Sequence, residues 1–266
     1  MQKQCKYNGR VVAYECLGAG ARVVLLHGFG ETGAVWGFQK VLAQQFQLLI
    51  PDLPGSGASE MIQDMSLEGL ADAVHFMLLE EGIQQCVMIG HSMGGYIALA
   101  FAEKYPDMLT GFGFFHSSAF ADNDEKKSTR KKGIAFIKEQ GAANFLKTAA
   151  PNLFSPATKE HKPSLLSEHL KTINDFSKEA LIAYYEAMIQ RPDRTAVLRN
   201  LAVPVLFLLG KWDGAVPLQD GLSQCYLPQT AYIHLLHHSG HMGLVEEPEK
   251  SNAFLNQYLT ETVSRL

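Results

Sequence analysis

No stretch of this chain supplies the roughly 18 consecutive apolar residues of a membrane-spanning helix; the apolar runs around Val23 to Leu26 and Val203 to Leu209 have strand length. The opening Met1-Gln2-Lys3-Gln4 segment also lacks the apolar run of a secretory signal, so a cytoplasmic protein without stable membrane insertion is expected. Cysteine is scarce. The four present, Cys5, Cys16, Cys86 and Cys225, have no CxxC spacing, which argues against a disulfide framework or a zinc cluster and for reduced small hydrophobes. Positive charge is not in excess: 23 Lys and Arg stand against 27 Asp and Glu, and a net charge of −4 offers no broad attraction to nucleic acid or an anionic membrane. Phosphate-binding signatures are missing too, with no G-x-G-x-x-G at the first strand-helix junction and no G-x-x-x-x-G-K-[ST]. What remains is a chain of 266 residues, 47% hydrophobic and 19% charged, long enough to bury a full sheet between helices.

The pattern alternates from Arg10 to Cys16, and Val23 to Leu26 reads as the next strand, running into His27-Gly28-Phe29-Gly30. A helix is predicted over Val35 to Gln44, a strand over Phe46 to Ile50, and a tight loop at Asp52-Leu53-Pro54-Gly55-Ser56-Gly57. Ser66 caps a predicted helix reaching Glu81, where Gly82 ends it. Val87 to Ile89 is a buried strand, Met93 to Lys104 a helix, and Gly111 to Phe115 another strand. Continuous apolar strands separated by helices imply an α/β fold with a mostly parallel sheet covered by helices on both faces. After Phe120 the strands stop. Residues 121–192 read as a helical cap insertion, interrupted by Pro151, Pro156 and Pro163, with Ser177 capping a helix through Ala180, Tyr184 and Met188. The core is then residues 1–120 and 193–266, resuming with strands over Val203 to Leu209 and Tyr232 to Leu236 and closing with a helix over Pro248 to Val263.

The most informative segment is Gly90-His91-Ser92-Met93-Gly94-Gly95, set between a strand and an apolar helix. A serine at such a turn raises its hydroxyl above the sheet edge, and the flanking glycines let backbone approach closely. The bland reading is a glycine-rich turn in which Ser92 only caps the helix. A serine hydroxyl needs a base. His241 follows the last predicted strand and Asp213 follows the one before it, so an imidazole, and a carboxylate to orient it, return to the edge bearing Ser92. Backbone N–H groups of Phe29 and Met93 are candidate donors to a developing oxyanion. His234, His237, His238 and His241 lack the companions and spacing of a metal site, so neither metal nor cofactor is expected.

Together with the Gly210 to Pro217 loop and Gly240-His241, these motifs resemble the α/β-hydrolase superfamily, in particular its small cofactor-free esterase, haloperoxidase-like and C–C hydrolase members with a helical cap. The resemblance implies Ser92 as nucleophile, His241 as base, Asp213 as orienting acid, and Phe29 and Met93 as oxyanion donors, with His27, Gly28, Gly30, Gly90, His91 and Gly94 shaping the supporting loops. It implies a small-molecule ester as substrate; C–C cleavage of a diketone, thioester hydrolysis, acyl transfer, and a silent binding scaffold are the alternatives. Phe136, Phe145, Phe154, Tyr184, Tyr185, Met188 and Trp212 are candidates for an apolar pocket, although helical spacing serves packing equally well. Arg191 and Arg194 are weighed as carboxylate binders and read instead as exposed charge or ion pairs near the cap boundary.

Overall fold

The computed structural model describes residues 1–171 and 176–264. Its strands are β1 (Gln2–Tyr7), β2 (Arg10–Leu17), β3 (Arg22–Leu26), β4 (Gln47–Pro51), β5 (Cys86–His91), β6 (Leu109–Phe115), β7 (Val205–Gly210) and β8 (Ala231–Leu236). They form one sheet in the order β1-β2-β4-β3-β5-β6-β7-β8, parallel from β4 to β8 with β1 and β2 added antiparallel at one edge. Side chains alternate across the sheet. Val24, Leu26, Met88, Phe112, Phe114 and Phe207 fill the core on one face, and Val23, Leu25, Val87, Ile89, Phe115 and Leu206 fill it on the other.

Helices α1 (Leu67–Glu80) and α2 (Met93–Lys104) follow β4 and β5. The Ser66 hydroxyl accepts the Gly69 N–H at 3.1 Å, which starts α1 where the capping pattern placed it. Between β6 and β7 come α3 (Asp124–Gln140), α4 (Ala142–Ala149), α5 (Pro156–His161), α6 (Pro163–Lys171), α7 (Lys178–Gln190) and α8 (Thr195–Asn200). The ends of the α3 to α7 segment meet at a buried ion pair, Arg191 Nη2 to Asp122 Oδ1 at 2.9 Å. After β7 come α9 (Leu218–Leu222), α10 (Gly243–Glu246) and α11 (Pro248–Val263). Among the described residues no helix is long and apolar enough to cross a membrane.

Two elements differ from the sequence reading. The segment read as a helix from Val35 to Gln44 is 3₁₀ in character over Gly33–Gln44, broken by a kink at Trp36 (φ −80°, ψ 15°), and its buried residues, Gly33, Trp36, Gln39 and Leu42, recur every three positions. Strand β1 went unrecognised because its six residues are mostly exposed and polar. The available signal was the Asn8-Gly9 pair, which turns the chain with φ of 49° and 78° in a two-residue hairpin.

Candidate active site

The site is assembled where the parallel strands end. At the tip of β5 the chain reverses into α2 through Ser92, held at φ 51° and ψ −119°, a conformation that costs a non-glycine residue about 1–3 kcal/mol. Its surroundings hold it there. The Ser92 N–H donates to the Phe115 carbonyl at 3.0 Å, and its own carbonyl accepts the Ser117 hydroxyl at 2.7 Å. A side chain at Gly90 would overlap the Gly94 backbone, and one at Gly94 would overlap the carbonyls of Leu26 and His27. Ser92 makes no side-chain cap bond to α2. Its hydroxyl is therefore not consumed by the helix-capping role.

His241 stands on the loop after β8, buried, with Nδ1 at 2.8 Å from Asp213 Oδ2 and 3.0 Å from Oδ1. Asp213 Oδ1 also accepts the N–H groups of Ala215 and Val216, both at 2.8 Å, so the carboxylate is fixed by its own loop. Burial pushes the Asp213 carboxyl up, but attraction to His241 and the contacts of His116 and His241 reverse this and hold it well below the usual carboxylate range. An ionised acceptor makes Nδ1 the donor and leaves Nε2 with a lone pair. The His241 backbone is pinned as well: its N–H reaches Leu153 at 2.7 Å, and Glu246 accepts the neighbouring Gly240 N–H at 2.7 Å. Ser92 and His241 line one cavity. No hydrogen bond joins their side chains, and such contacts commonly tighten only with substrate in place.

Phe29 lies in the loop after β3, and its N–H donates to no protein acceptor among the described residues. Met93 occupies the first position of α2, where an N–H has no partner within the helix. His27 is structural: neutral because of burial, it donates from Nδ1 to the Gly28 carbonyl at 2.9 Å and accepts the Leu53 N–H at Nε2 at 2.9 Å. Gly28 tolerates no side chain without crowding Glu31 and Ser92, and Gly30 takes φ 70°.

Glu31 and His116 are the residues that the motifs did not reveal. His91 sets Nδ1 at 2.9 Å from Glu31 Oε2 and Nε2 at 2.9 Å from the His241 carbonyl; with acceptors on both sides the ring is charged. Burial works against that charge, yet the Glu31 carboxylate outweighs it and raises the His91 pKa above its ordinary 6.5. Glu31 in turn is driven upward by burial and downward more strongly by His91, ending at about 2. It also accepts the Gly28 N–H at 2.6 Å, so one ion pair ties the Phe29 loop, the Ser92 turn and the His241 loop together. His116, fully buried at φ 51°, brings Nδ1 to 3.3 Å from Asp213 Oδ2 without hydrogen-bond geometry.

The cavity measures about 150 Å³. Phe29, Tyr185 and Met188 line it, but five other expected pocket residues do not. Tyr184, one position round α7 from Tyr185, faces the core and donates to the Pro54 carbonyl at 2.7 Å. Phe145 and Phe136 stand behind the wall, Phe145 edge-on to Phe29 and Tyr185 and Phe136 against Phe145. Phe154 packs among buried residues beside His169, and Trp212 is 53% exposed on its loop. In their place Leu146, Tyr96 and Arg130 contribute. Arg194 is buried and held by Glu68 and Glu103, and Arg191 by Asp122, so both are ion-paired as read, though neither is exposed.

A family model described as the alpha/beta hydrolase family matches residues 23–254. The pimeloyl-[acyl-carrier protein] methyl ester esterase of Methylococcus capsulatus is 28% identical over 257 residues, 93% of this chain and 98% of that one. The enzyme of the same name from Klebsiella pneumoniae subsp. pneumoniae is 31% identical over 211 residues, covering 77% and 80%. Among solved structures, a thermophilic esterase from Thermogutta terrifontis with malate bound superposes with a TM-score of 0.92 at 27% identity, over 98% of this chain and 99% of that one. An enol-lactonase from Burkholderia xenovorans LB400 shares the fold, with a TM-score of 0.89 at 21% identity over 97% and 100%.

Proposed function

Because the chain belongs to the α/β-hydrolase family, we propose that it is a serine esterase that cleaves a small carboxylic ester through an acyl-enzyme on Ser92. The observation that carries this is the 2.8 Å contact of His241 Nδ1 with Asp213, which leaves Nε2 basic in the cavity that also holds Ser92. His241 takes the Ser92 proton as Oγ attacks the ester carbonyl. The oxyanion is met by the N–H groups of Phe29 and Met93, and His241 then passes its proton to the leaving alcohol. Water, deprotonated by the same imidazole, attacks the acyl-enzyme and returns Ser92 with the free acid.

C–C cleavage, thioester hydrolysis and acyl transfer use the same three groups. The names of the two curated relatives described above, both methyl ester esterases, favour an ester with a small alcohol. We read residues 121–192 as a cap over the site, since Leu146, Ala149 and Ala150 at the end of α4 and Tyr185 and Met188 of α7 line the cavity. A p-nitrophenyl ester series from acetate to long acyl chains, run on the native protein and Ser92→Ala, tests the reading. The variant is expected to lose at least about 10³-fold in kcat/KM. Equal turnover by both proteins rejects it.

A further inference from the structure

Asp122, just before α3, is buried and gripped by two guanidinium groups: Arg130 through Nε at 2.5 Å and Nη2 at 3.3 Å, and Arg191 through Nη2 at 2.9 Å. One carboxylate faces two permanent cations, so the cluster carries a net positive charge. Arg191 is otherwise occupied. Its Nε and Nη1 donate to the Phe120 and Met188 carbonyls at 3.1 Å, and its guanidinium lies 3.9 Å from the Tyr96 ring. Arg130 is not: it lines the cavity shared by Ser92 and His241, and its Nη1 donates to no acceptor among the described residues. Its guanidinium stands 5.5 Å from the Tyr185 ring, which itself stacks on Phe29 at 4.2 Å, so it is joined to the oxyanion loop through two rings. Among the described residues the one carboxylate on the cavity wall, Glu31, is already matched by His91. Arg130, half-buried and sharing its one carboxylate with Arg191, therefore keeps an unused donor and the cluster an uncompensated charge at the cavity wall, and the anion that would balance it is one that a substrate can bring.

We propose that Arg130 is the anion-recognising end of the substrate cavity, and that the substrate class is the half-ester of a short dicarboxylic acid, its ester at Ser92 and its free carboxylate at Arg130. This rests on the Ser92 esterase reading with a small leaving alcohol, which puts the anion on the acyl side. Size points the same way. A cavity of about 150 Å³ is the size that holds one benzene, so it takes an acyl chain of about four to six carbons. A guanidinium also presents paired donors that suit a planar carboxylate.

Monomethyl adipate against dimethyl adipate, with the two equivalent esters of the latter allowed for, tests the assignment through the ratio of kcat/KM at pH 8. The native protein is expected to favour the half-ester by at least about tenfold. In Arg130→Met the ratio is expected to fall to near one, while Arg130→Lys keeps part of it; Asp122 retains Arg191 in both. A native ratio near one, or a ratio unchanged in Arg130→Met, overturns the assignment. Adipate and adipamide binding to Ser92→Ala, followed by calorimetry, gives a readout free of turnover and of any folding defect in the Arg130 variants. Adipate is expected to bind at least about tenfold more tightly, and equal affinities overturn the assignment. Preferential adipate binding with no Ser92-dependent turnover of either ester would instead uphold the anion site and reject the esterase reading.

Discussion

The His91 and Glu31 pair is a charge couple without solvent, and its worth depends on both partners staying ionised. Removing one member of such a pair costs about 3–5 kcal/mol, because the other is left buried and unmatched. Glu31→Gln is therefore expected to lower the melting temperature by several degrees at pH 6, read by calorimetry. The direction of the pH dependence follows from the shifts. His91, raised in the folded state, contributes stability below its ordinary 6.5 and loses it as pH climbs through the raised value; Glu31, lowered to about 2, contributes above its ordinary 4.5 and loses it as pH falls toward 2. The deficit of Glu31→Gln is thus expected to be greatest near pH 5–6 and to shrink on either side; a deficit constant from pH 3 to 9 would contradict the pairing. Asp213→Asn is a separate matter of tautomer. Presenting an amide to His241 favours the wrong ring nitrogen as donor, and kcat is expected to drop about 10⁴-fold in stopped assays.

At the scale of elements, strand ends carried most of what was legible. Ser92 and Asp213 each follow a fully buried apolar strand within a few residues, and His241 follows the half-buried edge strand β8, so local pattern was enough to bring them to one edge. Arg130 was invisible for the opposite reason. Helix α3 opens with a dense run of mixed charges that reads as a solvated face, and nothing local marks one arginine as turned toward a carboxylate eight residues earlier. Tyr184 and Tyr185 show the limit again, since the rotation of α7 that separates core from cavity is set by packing. Two changes probe the elements. Ser66→Ala removes the cap of α1 and is expected to cost about 1 kcal/mol, a shift of about 2–4 °C in melting temperature, with esterase kinetics unaltered. Gly94→Ala drives a methyl into the backbone of β3 and the following loop, and is expected to abolish soluble folded protein or its turnover, judged by circular dichroism beside the ester assay.

Over the whole molecule, buried acids set the response to pH. Glu31, Asp122 and Asp213 are all held below the ordinary carboxylate range by cations or imidazoles facing them, so each takes up its proton more readily once unfolded. Stability present above about pH 4 is expected to drain away below it, and melting temperatures followed from pH 7 to pH 3 should fall throughout the acid limb; a flat profile would deny the network. The ion pair between Asp122 and Arg191 has a consequence of another kind. It fastens together the two points where the chain leaves the sheet layer and returns to it, like a clasp on a loop of ribbon. Lengthening a loop whose ends are already joined adds only about 0.6 kcal/mol per doubling, so the ribbon beyond the clasp is free to be recut while Ser92, Asp213 and His241 below it stay in register. Substrate range in this architecture is a tailoring problem, with the seam at Asp122 and Arg191.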